Sequence, residues 1–525
     1  MIEDDLLRTS AYDVPTSRVD LVQTHISSVF LLDDDVFKVK RPVSLGFLDF
    51  RTIDARREAC DAEVRLNARL APGVYLGVVA VRRGADGHAR IGGAGEIVDW
   101  AVHMRRMPDE RRADVMLDAG RLTGEKIDRV AERIAEFHAG ARCDAQTSRF
   151  GARHAIATNV DENFAQTADT IEAFVRPEEA DEIVRWQHAF LRGHGPLFDA
   201  RIGARRIRDG HGDLRLDHVY FEEDGPIVLD CIEFNDRFRY ADVCADVAFF
   251  SMDLASRGRV DLAERFLARY ARASNDFDTY ALVDFYESYR AFVRAKICAM
   301  RANDPSLDDR ARESEAAAAR RHFLLALSAD RRALLMPAVV AVGGIIASGK
   351  STVAMRLGDA MGAPVVEADR TRKAMLGVAA TERVHEEAWR GAYAPAFTER
   401  VYEEVLRRAS VVLASGRAVV LDASFRSKAM RAAARALADS FGVPFRFVEC
   451  RADAATCRAR LVARANTAAV SDGRLEIFDD FVARFEPPTE LPENERTVLD
   501  TTGSADESMA TLRSRVETWP VGLTV

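Results

Sequence analysis

The chain has 525 residues, 48% apolar and 30% charged, enough for two to four domains with proper cores and against disorder as the default. Its net charge of -9 argues against a general nucleic-acid or membrane-surface binder, and no apolar run approaches the ~20 residues of a membrane helix. Seven cysteines without a CxxC pair indicate neither a disulfide framework nor a zinc site. The acidic start MIEDDLLRTSAYD lacks the basic and apolar regions of a signal peptide, so a soluble cytoplasmic protein is expected.

Only seven of the 74 basic residues are lysines (38, 40, 126, 296, 350, 373 and 428). A lysine kept among so many arginines marks a place where a compact, flexible ammonium is wanted. Three of them fall in the two segments that look most like phosphate sites.

In chain order, RVDLVQTH, SVFLLDD and VFKVKR read as strands, the last two joined by the turn-prone Asp33-Asp34-Asp35. DARREACDAEVRLNARLA has helical spacing, with Ala59, Ala62, Leu66 and Leu70 on one face. VYLGVVAVRR and EIVDWAVHMRRM return to strand character, and the chain is then mostly helical to about Asp330. The helical part is interrupted at 211–234, where DGHGDLRLDHVYFEEDGPIVLD places Asp213 and Asp230 at the loop ends of one hairpin. Two acids so placed can divide the work of taking a hydroxyl proton and holding Mg²⁺. His154, His188, His194 and His322 lack partner spacing, and Cys231 and Cys244 read as small core residues.

From Ala338 onward apolar strands alternate with amphipathic helices, the pattern of a parallel α/β sheet. The boundary is placed near residue 334, dividing the chain into modules 1–333 and 334–525. AVVAVGGIIASGKSTVAMRLG carries GIIASGKS between a strand and a helix, fitting G-x-x-x-x-G-K-[ST]. Gly344, Ala347, Ser348 and Gly349 let backbone N–H groups face phosphate, Lys350 reaches the β/γ-phosphates, Ser351 ligates Mg²⁺ and Thr352 follows on the helix. The strand in RAVVLDASF ends in Asp422, a carboxylate suited to hold the water shell of Mg²⁺, and PVVEADRTRK ends a strand at Asp369, placed to accept a substrate proton. Arg458, Arg460 and Arg464 on a later helix read either as a lid over the transferring phosphoryl group or as a solvated face.

The segment 338–505 resembles small P-loop kinases of the group with gluconate kinase, zeta toxins, chloramphenicol phosphotransferase and polynucleotide kinases. GGIIASGKST, EADRTRK, VVLDASF and FVECRAD carry that resemblance, which implies that Asp369 activates the acceptor hydroxyl. Residues 15–300 resemble aminoglycoside phosphotransferases and their protein-kinase-like relatives through HGDLRLDH, VLDCIEF, ADVCADVAFF and IAEFHAGA. The implied fold is a protein-kinase-like bilobal α+β module followed by a P-loop parallel α/β module. The implied roles are Asp213 as base, Asp230 as main Mg²⁺ ligand and Lys38 as the ATP lysine. Lys38 is preferred over Lys40 because Val36 shares its face and can cover adenine. Glu63, with Glu58 second, is its ion-pair partner, and HMRRM (103–107) is the hinge. His218 stands where the family carries a metal-binding Asn. Imidazole is a poor Mg²⁺ ligand, so Asp217 replaces it, or one metal is used, or transfer is weak.

The expectation is an ATP- and Mg²⁺-dependent kinase acting on hydroxyls of small molecules such as a sugar, sugar acid or antibiotic, with no membrane partner. The alternatives are a polynucleotide 5′-hydroxyl kinase in the second module, a sensor in the first, or an ATPase switch.

Overall fold

The structure is a computed structural model that describes residues 2–24, 26–45, 48–305, 307–327, 336–384, 389–464 and 470–515. It contains two compact units, Met1–Arg257 with Tyr286–Leu327, and Gly258–Phe285 with Ser328–Val525. The expected boundary near residue 334 lies outside the described residues. The sequence reading made the first module contiguous, whereas Gly258–Phe285 belongs to the second unit.

The first unit begins with β1 (Asp20–Gln23), β2 (Ser27–Leu31) and β3 (Asp35–Lys40). After α1 (Ile53–Asn67) come β4 (Tyr75–Arg83), β5 (Ala89–Ile91) and β6 (Glu96–Arg105). These strands form one antiparallel sheet in the order β1-β2-β3-β6-β4-β5. Alternation along β3 sends Phe37 and Val39 into one core and Val36 into the other, so the sheet is covered on both faces. Helix α1 starts at Thr52, whose hydroxyl accepts from Ala55 N at 3.2 Å. Burying Cys60, Glu63 and Leu66, α1 aims an acid at the sheet.

The rest of this unit carries α2 (Gly124–Gly140), α3 (Arg153–Thr167), α4 (Pro177–Gly193) and β7 (Ile207–Asp209). The hairpin β8 (Val219–Glu222) and β9 (Gly225–Val228) follows, then β10 (Tyr240–Asp242), which pairs with β7. Helix α5 (Val243–Ser256) is mostly apolar and buried from Val243 to Leu254, with Asp246 and Asp253 as buried acids, as expected of a helix at the centre of a helical lobe. After α6 (Val260–Ser274), which belongs to the second unit, α7 (Val283–Ala302) and α8 (Asp309–Ala326) close a core around Ile183, Phe249, Phe292 and Phe323.

In the second unit, β11 (Val339–Gly343) is buried at every residue and leads through the glycine-rich loop into α9 (Lys350–Met361). Then come β12 (Val365–Glu367), α10 (Ala368–Leu376), α11 (Pro395–Ala414), β13 (Val419–Asp422) and α12 (Lys428–Phe441). The unit ends with β14 (Phe445–Arg451), α13 (Ala454–Arg464), β15 (Arg496–Asp500) and α14 (Ala505–Arg515). The sheet is wholly parallel in the order β12-β13-β11-β14-β15, so strand carboxyl ends share one edge. Arginines fasten α6 to this unit. Arg269 Nη2 meets Asp359 Oδ1 at 2.5 Å, and Arg417 Nε meets Glu264 Oε2 at 2.8 Å with both side chains buried. Among the described residues, no helix is long and apolar enough to cross a membrane.

Candidate active sites

In the first unit a cleft of about 880 Å³ is lined by Val36, Lys38, Met104, Asp213, Asp217, His218 and Asp230, among others. Lys38 Nζ lies 2.9 Å from Glu63 Oε1 and 2.6 Å from Asp230 Oδ1. Lys40, on the same face of β3, meets the other oxygen of Glu63 and does not line the cleft. Its fully buried ammonium meets Glu63 Oε2 at 2.5 Å and also pairs with Glu233. Glu58, the second choice for the ion pair, is exposed. At the hinge, the Arg105 and Arg106 N–H groups are already bonded, to Val74 O at 2.9 Å and Asp34 O at 2.8 Å.

Asp230 sits just beyond β9 with φ 63°, and its N–H donates to the Tyr75 hydroxyl at 3.1 Å. That left-handed backbone, costly for a non-glycine residue, turns its carboxylate to Lys38. Burial works against ionisation of Asp230, but Lys38 and then His218 hold its pKa far below the ordinary carboxylate range.

The catalytic-loop segment is pinned from behind by Asp246 on α5. Its carboxylate accepts from His211 N at 2.6 Å, Gly212 N at 2.8 Å and His138 Nε2 at 3.2 Å. Gly212 has φ +87°, and a Cβ there would stand 2.9 Å from Phe238 O, so only glycine fits. Burial lowers the His211 pKa to about 4, leaving a neutral ring that accepts from Asp213 N and donates to Leu229 O.

Arg215 ties the loop's polar groups together. It donates to Asp213 Oδ1 at 3.0 Å, Asp217 Oδ2 at 2.9 Å and His218 Nε2 at 2.9 Å. Burial alone would raise the Asp213 pKa, but Arg215, His218 and Arg294 bring it to about 2. A guanidinium only donates, so His218 Nε2 accepts, and Nδ1–H donates to Asp213 O at 2.9 Å. Both ring nitrogens of His218 are therefore engaged, so the residue that stands in the place of the family's metal-binding Asn offers no lone pair to a metal. Asp217 Oδ1, one residue earlier, is buried without a partner and is the hard oxygen that a divalent cation would take.

In the second unit a cleft of about 580 Å³ is lined by Lys350, Ser351, Thr352, Asp369, Asp422 and Arg464, with Arg272 of α6. The loop before α9 has left-handed backbone at Ala347 (φ 62°) and Gly349 (φ 82°). A Cβ on Gly344 would meet Cys450 O at 2.5 Å. Ser348 Oγ is buried without a hydrogen bond, while Ser348 O accepts from Thr501 Oγ1 at 2.6 Å. Such a concave run of backbone ahead of a helix N-terminus is a ready-made phosphate cradle.

Glu367 and Asp422 are register neighbours on β12 and β13. Arg272 Nε holds Glu367 Oε2 at 2.7 Å, and Asp422 Oδ1 is buried without a partner. Burial raises the Asp422 pKa to about 7 against the pull of Lys350 and Ser351. An orphaned carboxylate oxygen beside a serine hydroxyl suits a hard divalent cation. Asp369 is not a strand end as expected, because β12 stops at Glu367 and Asp369 lies in the first turn of α10.

Arg464 donates to Gly473 O at 3.2 Å at the cleft, and Arg460 donates to Ala347 O at 3.3 Å, bracing the phosphate loop. Arg458 does not reach the cleft. It lies on the other face of α13, paired with Asp479 and packed on Phe478, which corrects its place as a catalytic residue. Asp246, Arg215 and Arg272 escaped the sequence reading. The first two lie inside the quoted motifs, where a buried acid in an apolar helix and an arginine two residues from Asp213 were visible signals.

Comparison with known proteins fits this geometry. Residues 34–286 match a family model described as "Phosphotransferase enzyme family", and residues 339–488 match one described as "AAA domain". An uncharacterized protein of Mycobacterium tuberculosis (strain ATCC 25618 / H37Rv) is 35% identical over 469 residues, 89% of this chain and 90% of its own. Among solved structures, a choline/ethanolamine kinase family protein from Mesorhizobium loti is 13% identical (TM-score 0.34), covering 62% of this chain and 99% of that one. A gluconokinase from Sinorhizobium meliloti 1021 is 19% identical (TM-score 0.24), covering 36% and 97%. With that identity sustained across nearly the whole of both chains, the protein belongs to the family of the uncharacterized mycobacterial protein, and it is itself a kinase enzyme that joins a phosphotransferase-family module to a P-loop module.

Proposed function

We propose that each unit transfers the γ-phosphoryl group of ATP to a hydroxyl of a small molecule, with Mg²⁺ as the metal. The observation that carries this reading is Lys38 held between Glu63 and Asp230 in a cleft that also contains Asp213. A lysine so held has its ammonium oriented for phosphate oxygens, and Asp213 is the group that takes the acceptor proton. In the first unit Asp230 and Asp217 would hold the metal. In the second, Ser351 and Asp422 would hold it, with Gly344 to Gly349 cradling phosphate, Lys350 stabilising its charge, Thr352 beside it and Asp369 as base. When bound, Mg²⁺ neutralises phosphate charge. Arg464 is the second unit's closing cation.

The test is a metabolite screen for γ-phosphate transfer by the full chain and by the Lys38→Met and Lys350→Ala variants. Each substitution should abolish transfer to one set of acceptors and spare the other. Transfer that survives both substitutions together would refute the assignment of the sites.

A further inference from the structure

The first unit's cleft has a charge arrangement that its phosphate-handling end does not require. Five acids line it, and each has a cationic partner, with Asp213 and Asp217 sharing one arginine. Asp213 and Asp217 are held by Arg215, Asp230 by Lys38, and Glu233 by Lys40. Glu162, away from the catalytic loop, is gripped by both nitrogens of Arg237 at 2.6 and 2.7 Å. Apart from the oxygens of Asp217 and Asp230 given to the metal, no lining acid among the described residues lacks a cationic partner.

The opposite wall is α7, which sends Arg290, Arg294 and Lys296 to the cleft. None of the three has a carboxylate partner among the described residues. Arg290 is 5% exposed and rests on Phe249, with Nε donating only to Ala245 O at 3.1 Å. Lys296 donates to two neutral amide oxygens, Asn163 Oδ1 at 2.6 Å and Gln166 Oε1 at 2.8 Å. Among the described residues Arg294 makes no hydrogen bond or ion pair, and it lies within electrostatic range of Asp213 and Asp217. Burial also lowers the Lys296 pKa to about 8, more than the charge of Glu162 raises it.

Holding the buried Arg290 and the half-buried Arg294 and Lys296 without a bonded carboxylate is costly, and the cost is offset when an anion binds. Arg290 and Arg294 are one turn apart on a single helix and present their guanidinium groups from a rigid element.

We infer that the acceptor of the first unit carries a negatively charged group, a carboxylate or a phosphate, seated against Arg290, Arg294 and Lys296. The inference rests on the reading of this cleft as a phosphotransfer site. The acceptor hydroxyl then points to Asp213 while the anionic end is held by α7. A polycationic acceptor is disfavoured because it would face these cations, while the acids across the cleft already have cationic partners or are given to the metal.

The test uses the full chain carrying Lys350→Ala, with ADP and Mg²⁺ present at saturation. Calorimetric titrations are run with inorganic phosphate, with citrate and with spermidine. At least one anion should bind and spermidine should not, and the tighter anion assigns the group as phosphate or carboxylate. Arg294→Gln and Lys296→Gln should each weaken anion binding about tenfold, one charge-assisted bond's worth, with ADP affinity unchanged. Binding of spermidine in place of the anions, anion binding indifferent to both substitutions, or no anion binding at all would overturn the inference. Failure of the reading beneath it looks different. In that case the Lys350→Ala protein would show no ADP binding that is lost on adding Lys38→Met.

Discussion

Two lysines two residues apart on β3 give the sharpest test of the first unit's site. Lys40 is fully buried and bridges Glu63 and Glu233, whose side chains are 0% and 4% exposed. Lys40→Met leaves two buried carboxylates short of a partner, and breaking a buried pair in this way costs about 3–5 kcal/mol. At 1.4 kcal/mol per tenfold, local opening of the sheet rises by about two to three and a half orders of magnitude. Lys38→Met is milder for the fold because Glu63 keeps Lys40 at 2.5 Å. Its effect falls on nucleotide binding, where loss of a hydrogen bond to a charged group costs about 1.5–3 kcal/mol, roughly 10- to 150-fold in affinity. Hydrogen exchange of the β2, β3 and β6 amides reads the first effect, and ATP·Mg²⁺ titration in a Lys350→Ala background reads the second. A Lys40→Met protein that keeps native protection but loses ATP, beside a Lys38→Met protein that binds ATP normally, would refute the reasoning.

Three further outcomes follow from the geometry. Asp422→Asn should weaken Mg²⁺-dependent nucleotide binding by the second unit, whereas Asp369→Asn should spare binding and slow transfer. Equal effects on both quantities would remove the division of roles. A fragment 334–525 should be poorly folded by circular dichroism and protease resistance, because without Gly258–Phe285 the buried Arg417 loses Glu264 and Asp284, at a cost of about 3–5 kcal/mol. Native-like resistance of that fragment would contradict the account. Lys296 should titrate near pH 8 by ¹⁵N NMR of the side chain, since burial lowers its pKa more than Glu162 raises it, with Arg237 adding to the lowering. The sign of the linkage is that the unfolded chain binds the proton more tightly between pH 8 and 10.5. This group's contribution to stability therefore rises with pH through that window and is lost as pH falls through it. A midpoint near 10.5 would show a fully solvated amine.

Local sequence determined what short-range rules govern. The glycine-rich loop between β11 and α9 was legible because its glycines, lysine and serine are consecutive. The β3 lysines were legible too, because period-2 alternation puts Val36 and Lys38 on one face. The hairpin carrying Asp213 and Asp230 was visible from its turn residues. The folded structure alone decided what depends on partners far apart in the chain. Only packing could show that both nitrogens of His218 are taken by Arg215 and the Asp213 carbonyl, leaving the oxygen of Asp217 for a cation. Helical spacing placed Arg458, Arg460 and Arg464 on one element, but rotation of α13 sends Arg458 to Asp479 and the other two to the phosphate loop and cleft. Gly258–Phe285 packs with the second unit and is tied into it by ion pairs such as Arg417–Glu264, 153 residues apart. No local pattern encodes such a pairing, because charge complementarity acts through space and is blind to chain order.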